Sequence, residues 1–497
     1  MMPDFFSSRT THADLLNGRS RCLLLGAKGA GMTALADILI DAGNTVIGMD
    51  KNVADDDFRP AVDSNAKFPV LPWSSAPVPA GQLDLCIISA AVPRNDAVPA
   101  MVLAAGVPLI SLHECLGTVF SKTQQICVAG THGKSTTTAM LSWIMEQNLY
   151  RPGFFVGAEQ VNFGCSGRFT GTDWAVLESC EFLQSFRHLQ PEIAVLTGIE
   201  RDHFDCFPEQ QSEDKAFRRF ASLVPQNGSV IIRKDCVRSR EIVANLAGRV
   251  STFCIYDGGV AGENSVPANS PNLSTADFVA SHVTHYGTTS TFRCSHNGKY
   301  SVVRLGVPGR HNVQNAVAAI AGAVSAGISL HASCQALASF SGICRRFENR
   351  GQYNGITLID DYAHHPTAIR ETIATARQAF PGRRILVAFE PHQLIRTESL
   401  FPQFVESLSA ADEVLLLPVF PAREKATHFE CCRASGRIVK ELNRNGVRAF
   451  LFANLDQIVS RVDHSGRPSD IFLTMGAGRT NVIHDHFNRR LQRNFVA

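Results

Sequence analysis

Short apolar runs that end in glycine or in polar residues recur along the chain, and many are followed by a stretch in which apolar residues return every three or four positions. The first pattern reads as buried strands, the second as amphipathic helices. Residues 22–25 lead into Gly26-Ala27-Lys28-Gly29-Ala30-Gly31, a helix carrying Met32, Leu35, Ile38 and Leu39, and a second strand over 45–49 that ends at Asp50. Residues 83–89 and 108–111 continue the alternation. Further strands are expected at 126–129, 174–177, 193–196 and 230–233, then three antiparallel ones at 278–283, 289–294 and 300–305. A last series at 356–359, 385–389, 413–417, 449–452 and 470–475 again alternates with helices. The fold class is α/β, and a chain of 497 residues has room for about three domains by the usual domain size. Residues 257–274, rich in Gly, Ser, Pro and Asn, read as an irregular loop.

The polar residues at the ends of these runs carry the chemistry. After the strand at 126–129 come Gly130, Thr131, His132, Gly133, Lys134, Ser135 and Thr136, with an amphipathic helix behind them. Glycines let backbone N–H groups turn inward and the helix N-terminus adds a positive end, so the segment is a compact phosphate loop. Lys134 is suited to the outer phosphates of a nucleotide and the Ser135 hydroxyl to Mg²⁺. The spacing is one residue shorter than the usual Walker A pattern, and a glycine turn before an ordinary helix is the plain alternative. Two acidic groups follow strands that end beside this loop: Glu178, Ser179, Cys180 and Glu181, then Glu200, Asp202, His203 and Asp205. Glu178 joins Ser135 as an expected metal ligand, and His203 suits a second ion or the reacting carboxylate. Glu181 reads as a helix-start or supporting acid, and Asp202 and Asp205 equally as acids at a helix N-terminus. Asn312 and Asn315, three apart at the start of an Ala-rich helix, can face one ligand together, although Asn312 alone also suits a cap.

The first glycine turn is less specific. Lys28 stands where a strict Gly-x-Gly has its second glycine, so NAD binding is a weak reading there, and Asp50 is either a ribose acid or a solvated strand end. Composition narrows the class. With 47 Lys+Arg against 45 Asp+Glu the net charge is +2, which gives no electrostatic case for nucleic acid. The 14 cysteines show no Cys-x-x-Cys pair or disulfide spacing, which points to a reducing compartment. No signal peptide or membrane-length apolar run is evident, so a cytoplasmic protein without membrane insertion is expected.

Taken together these segments resemble the Mur ligases, the ATP-dependent amide-bond-forming enzymes of peptidoglycan precursor synthesis. The resemblance covers nearly the whole chain: GAKGAGM from Gly26, GTHGKST from Gly130, LESCEF from Leu177, HLQPEIAVLTGIERDHFDCF from His188, PGRHNVQNA from Pro308, RRFENRG from Arg345, DDYAHHPTAI from Asp360, FEPHQLIR from Phe389 and PAREK from Pro421. It implies a Rossmann-like N-terminal domain over 1–121 that holds a UDP-sugar, with Gly26, Lys28, Gly29, Ala30 and Gly31 as contacts. It further implies a central P-loop ATPase domain over 122–344 and a Rossmann-like C-terminal domain over 345–497 that positions the amino acid. ATP and Mg²⁺ are the implied cofactors, UDP-N-acetylmuramate and L-alanine the substrates, and a monomer or weak homodimer the state.

On that pattern Lys134 and His203 are catalytic, and Ser135, Glu178 and His203 hold metal. Asn312 and Asn315 lie on the adenine side, Arg345 contacts phosphate, and Asp361 approaches the nucleotide across a closed cleft. The chain departs from the family at Lys28, at Gly198 in place of asparagine, at Ala363 in place of glycine, at Glu390 in place of glutamine, and at Gln393, Leu394 and Ile395 in place of Arg-Tyr-Ser/Thr. A ligase that attaches a ready-made peptide shares many of these motifs. A Rossmann oxidoreductase and a noncatalytic nucleotide-binding scaffold are the readings from other classes.

Overall fold

The computed structural model describes residues 18–53, 67–75, 82–246, 249–256 and 275–496, so the loop expected at 257–274 lies outside the described residues. Three sheets follow one another along the chain. The first consists of β1 (Arg21–Leu25), β2 (Thr45–Asp50), β3 (Val70–Pro72), β4 (Leu85–Ile88) and β5 (Leu109–Ser111), in the order β3-β2-β1-β4-β5 and all parallel. Residues 85–88 are buried throughout, as the continuous apolar run requires of a strand covered on both faces. The helix Ala30–Asp41 buries Met32, Leu35, Ile38 and Leu39, the four positions at helical spacing.

The second sheet has ten strands: β6 (Gln124–Ala129), β7 (Gly153–Gln160), β8 (Cys165–Arg168), β9 (Trp174–Glu178), β10 (Pro191–Leu196), β11 (Ser229–Arg233), β12 (Arg249–Ile255), β13 (Phe278–Tyr286), β14 (Thr289–His296) and β15 (Lys299–Leu305). Their order is β15-β14-β13-β12-β11-β10-β6-β9-β7-β8, which puts β6 between β10 and β9. The phosphate loop and both acidic groups therefore leave the sheet side by side, at the carboxyl ends of three neighbouring parallel strands. The antiparallel trio β13–β15 closes one edge, as its alternating pattern leads one to expect. Three strands of this sheet had no signal in the sequence. β7 and β8 contain Gly153, Gly157 and Gly167 and lack a regular alternation, while β12 is masked by its polar Arg249, Ser251 and Thr252.

The third sheet, β16 (Glu348–Tyr353), β17 (Ile356–Asp361), β18 (Ile385–Phe389), β19 (Glu413–Leu416), β20 (Arg448–Leu451) and β21 (Ile471–Met475), runs in the order β16-β17-β21-β18-β19-β20. Only β16 is antiparallel. One continuous apolar core joins the first sheet to a face of the second, from Leu24 and Leu35 through Leu116 and Phe120 to Leu177 and Phe217. The third sheet has two cores of its own, whose buried members all lie at or after Phe347. Among the described residues no helix is long and apolar enough to cross a membrane.

Candidate functional site

The phosphate loop is held by its neighbours as much as by its glycines. Gly133 has φ +77°, and a Cβ there would overlap Asn315 Oδ1. Both observations call for glycine, because the left-handed backbone and the amide seated against it leave no place for a side chain. Thr131 N donates to Gly198 O at 2.9 Å, and Glu200 N donates to Thr131 Oγ1 at 2.8 Å, so β10 fixes the loop from the side. Thr136 is buried in the first turn of the helix Lys134–Gln147.

Lys134 folds back over this loop. Its Nζ donates to the carbonyl oxygens of Gly130 and Thr131 and sits 3.2 Å from both carboxylate oxygens of Glu181. Burial opposes the charge on Lys134, yet Glu181, Cys180 and Glu178 together raise its pKa above the ordinary lysine value. Glu181 shows the reverse balance: burial alone would raise its carboxyl, but Lys134 and His203 hold it at about 2. Glu181 is 1% exposed and stands at the start of the short helix Phe182–His188, but its side chain makes no cap there and turns instead to Lys134 and His203, as a supporting acid does. Its place in the charge chain of the site was hidden in the sequence, although its spacing three residues beyond Glu178 was the available signal.

Ser135 and Glu178 come together as expected, with Ser135 Oγ donating to Glu178 Oε1 at 3.0 Å. Gly157 N donates to the other oxygen of Glu178 at 2.6 Å and orients the carboxylate. This all-oxygen pair beside a phosphate loop fits Mg²⁺. His203, with φ +50°, stands 3.4 Å from Glu181 Oε1 through Nε2, while its Nδ1 is buried without a partner. One donor atom each from Cys180, Glu181 and His203 lies within 4.8 Å of the others, so an ion fits this side as well. Burial lowers the His203 pKa, but hydrogen bonding and charge from Glu181, with Asp202, raise it overall.

The other expected contacts divide between two elements. Asn312 Nδ2 donates to Pro308 O at 2.7 Å, and Asn312 Oδ1 accepts from Asn315 Nδ2 at 3.2 Å, which leaves Asn315 Oδ1 against Gly133. Arg345 pairs with Asp360 at 3.3 Å, donates to Gly476 O at 2.9 Å and lies over the Tyr362 ring. Asp361 is buried and accepts from the backbone N–H groups of Phe347 and Ala363; burial lifts its pKa to about 6. In the first sheet the turn from Gly26 to Gly31 leaves β1, and Asp50 accepts from Lys28 N at 2.9 Å and Asn52 N at 2.9 Å. Asp50 is thus a buried turn-holding acid, not a solvated strand end. Gly31 faces Leu112 and Phe155, where the first two units meet.

Between the second and third sheets run contacts that no local pattern announces. Arg396 donates to Asp202 at 2.7 Å and 2.9 Å with both side chains buried. Asp205 accepts from Arg423 at 3.1 Å and Gln393 at 3.3 Å, and Thr367 Oγ1 donates to Glu200 at 2.7 Å. Since the next helix begins only at Gln210, Asp202 and Asp205 are not helix N-terminal acids; their partners lie 194 and up to 218 residues away.

Comparison with known proteins agrees with this arrangement. Residues 128–323 match the Mur ligase middle domain and residues 345–478 the Mur ligase glutamate ligase domain. The UDP-N-acetylmuramate–L-alanine ligase of Desulfitobacterium hafniense is 34% identical over 456 residues, which covers 91% of this chain and 96% of that protein. The chain belongs to the Mur ligase family. Its fold is shared with the solved UDP-N-acetylmuramate–alanine ligase of Thermotoga maritima, at TM-score 0.76 and 24% identity over 96% of this chain and all of that one. A murein peptide ligase of Psychrobacter arcticus aligns at TM-score 0.71 and 24% identity, covering 95% of this chain and 98% of that one.

Within this Mur ligase the departures have definite surroundings. Gly198 supplies the carbonyl that holds Thr131, and Ala363 N donates to Asp361. Glu390 accepts from Arg479 N at 3.0 Å and packs against Gly478. Gln393 is buried with φ +70° and reaches Asp205, beside Arg423. Leu394 N and Ile395 N donate to Glu424.

Proposed function

We propose that the chain joins L-alanine to the carboxylate of UDP-N-acetylmuramate, with ATP converted to ADP and phosphate, in peptidoglycan precursor synthesis in the cytoplasm. The observation that carries this reading is the Lys134–Glu181–His203 chain beside the Ser135–Glu178 pair, which gathers a phosphate-directed cation and two ion-compatible groups around one loop. The names of the relatives over nine-tenths of the chain support the alanine assignment. In this reading residues 1–121 hold the UDP-sugar through Gly26, Lys28, Gly29, Ala30 and Gly31, residues 122–344 hold ATP, and residues 345–497 position the amino acid.

The sugar carboxylate attacks the γ-phosphorus and ADP departs with the bridging oxygen. The amine then attacks the carbonyl carbon of the acyl phosphate, and phosphate leaves with one original carboxylate oxygen. A carboxylate is a poor acyl donor until phosphorylated, which is why the order runs this way. Lys134, kept charged by Glu181, offsets the charge on the transferred group. Ser135 and Glu178 would hold Mg²⁺ and His203 a second ion, which would supply further charge compensation. Asn312 and Asn315 face the nucleotide side, and Arg345 and Asp361 meet it as the third unit closes, which limits loss of the activated intermediate to water.

The test is a product assay with purified protein, ATP, Mg²⁺ and UDP-N-acetylmuramate, offered L-Ala, Gly, L-Ser or the L-Ala-containing tripeptide. ADP release that requires the UDP-sugar and L-Ala, with heavy oxygen from the sugar carboxylate appearing in phosphate, is expected. Preference for the tripeptide replaces this reading with that of a peptide-attaching ligase. Lys134→Ala is expected to lower turnover by at least about 1,000-fold while UDP-sugar binding is kept; near-normal turnover would sink the site assignment.

A further inference from the structure

His132, Glu200 and His365 form a group whose side chains the proposed reaction does not use. His132 belongs to the phosphate loop and Glu200 follows β10, whereas His365 caps the helix Pro366–Ala379 in the third unit. One donor atom from each lies within 4.8 Å of the other two. His132 Nε2 is 3.4 Å from Glu200 Oε2, His365 Nδ1 is 4.0 Å from the same oxygen, and the two ring centroids are 4.7 Å apart. His365 is 6% exposed and its Nε2 is buried without a hydrogen-bond partner. Among the described residues no lysine or arginine forms an ion pair with Glu200; its other side-chain partner is the Thr367 hydroxyl.

Two imidazoles and one carboxylate are the donors of Zn²⁺, Co²⁺ or Ni²⁺ sites, whereas Mg²⁺ prefers oxygen alone. Around a tetrahedral ion with bonds of about 2.0 to 2.1 Å, neighbouring donors stand about 3.3 Å apart. The separation of His132 Nε2 from Glu200 Oε2 is close to that value, while His365 Nδ1 stands farther off and accepts from Thr367 N at 3.3 Å. This ring must therefore turn, through its unpartnered Nε2 or by giving up the cap, to complete the site. The Cys180–Glu181–His203 group, where the proposed reaction places its second ion, is a poorer competitor while no nucleotide is bound, because the Lys134 ammonium then lies 3.2 Å from Glu181 with no phosphate to draw it away.

We propose that His132, Glu200 and His365 are a transition-metal site across the boundary of the second and third units, so that a Zn²⁺-type ion holds that boundary shut. The donors come from both units, and the complete site exists only while they are apposed. Binding therefore draws the equilibrium toward the closed form, and opening releases the ion.

The experiment is a Co²⁺ titration of the full chain without nucleotide, UDP-sugar or Mg²⁺, read by the visible absorption that imidazole ligation gives cobalt. One equivalent is expected to bind. His365→Gln and Glu200→Gln each weaken that binding by at least about 100-fold, and His203→Gln leaves it unchanged. Glutamine at 365 keeps an acceptor for the Thr367 N–H, and Glu200→Gln provides an independent variant should the cap fail. No cobalt band, a band that survives both substitutions, or a band lost in His203→Gln would overturn the proposal. Because the readout uses neither substrate nor turnover, it succeeds or fails independently of the ligase assignment.

Discussion

Where the first unit meets the second, the helix Ala30–Asp41 lies on β7 and β8, and backbone touches backbone. A Cβ on Gly167 would overlap the Ala34 carbonyl oxygen, a Cβ on Gly117 would overlap that of His188, and one apolar core runs through both units. Where the second meets the third, the contact includes Asp202–Arg396, Asp205 with Arg423 and Gln393, Glu200–Thr367, the paired rings of His132 and His365, and Thr375 against Gly309, and the apolar cores stop on either side. A close-packed seam loses its contacts together when its units part. A polar seam exchanges its hydrogen bonds for water and can reopen. The first two units are thus built to stay together, while the third is built to part from them and return.

The largest expected effect comes from breaking the polar seam at its buried centre. Arg396→Ala leaves the Asp202 carboxylate buried without its cation, which costs the closed form about 3 to 5 kcal/mol. Turnover falls by about 100-fold or more, while the dissociation constant of the UDP-sugar, measured by calorimetry, stays within about twofold. A parallel loss of UDP-sugar binding would show that the two seams are not separable.

The converse substitution is Gly167→Val. Its side chain meets the Ala34 carbonyl oxygen and must push β8 away from the helix, at a cost of about 1 to 3 kcal/mol. Scanning calorimetry should show the transition of the first two units lowered and that of the third unchanged. Arg396→Ala should leave the transition of the first two units where it is.

How much of this contrast could be read in the sequence follows from the range of each interaction. Glycines, Lys134, Ser135 and Glu178 lie at the ends of apolar runs, and one parallel sheet brings such ends together, so the loop and its acids were legible. β7 and β8 were not, because Gly153, Gly157 and Gly167 are poor strand formers and make sense only once Phe120, the Glu178 carboxylate and the helix Ala30–Asp41, respectively, are laid against them. The polar seam was hidden for another reason. Nothing near Asp202 indicates Arg396, nor does anything near Asp205 indicate Arg423, since the pairing depends on how two separately folded sheets dock. Glu181 lay between these cases: its proximity to Glu178 was visible, but not that Lys134 and His203 both turn toward it.

Acid separates the seams more gently. Burial would raise the Asp202 carboxyl, but Arg396 and the nearby histidines hold it well below the ordinary aspartate value, so its contribution is present above about pH 4 and is lost as pH falls through its depressed pKa. Asp361 works in the opposite direction. Its pKa of about 6 means that the folded form gains a proton before the unfolded one, which by itself adds about 1 kcal/mol between about pH 7 and 5. Burial, however, holds His364, His365, His392 and His484 below the ordinary histidine value, so the unfolded chain takes up their protons first and the third unit should lose stability overall as the pH falls through about 6.5. Calorimetry should follow that net loss, and small-angle scattering should show the folded molecule unchanged in size between about pH 7 and 5 and expanded below about pH 4. Expansion already near pH 6 would mean that the histidines, rather than the carboxylates, govern the seam.

The smallest effect belongs to the rim of the polar seam. Arg423 lies 3.1 Å from Asp205, and its guanidinium carbon is 4.1 Å from the centre of the Phe182 ring; the arginine side chain keeps 38% of its exposure. Water and salt reach this pair, so Arg423→Ala should weaken closure by only about 0.5 to 1 kcal/mol at low ionic strength. Raising the salt to about 1 M shortens the screening length to about 3 Å and should remove most of the ionic part of that difference. The Asp202–Arg396 pair, shielded from solvent, should keep nearly its full effect under the same conditions. Measuring turnover of Arg423→Ala and Arg396→Ala across a salt series therefore divides the seam into a screened rim and a shielded centre. Equal salt dependence in the two variants would show that the seam opens to water as a whole, with Asp202 no better protected than Asp205.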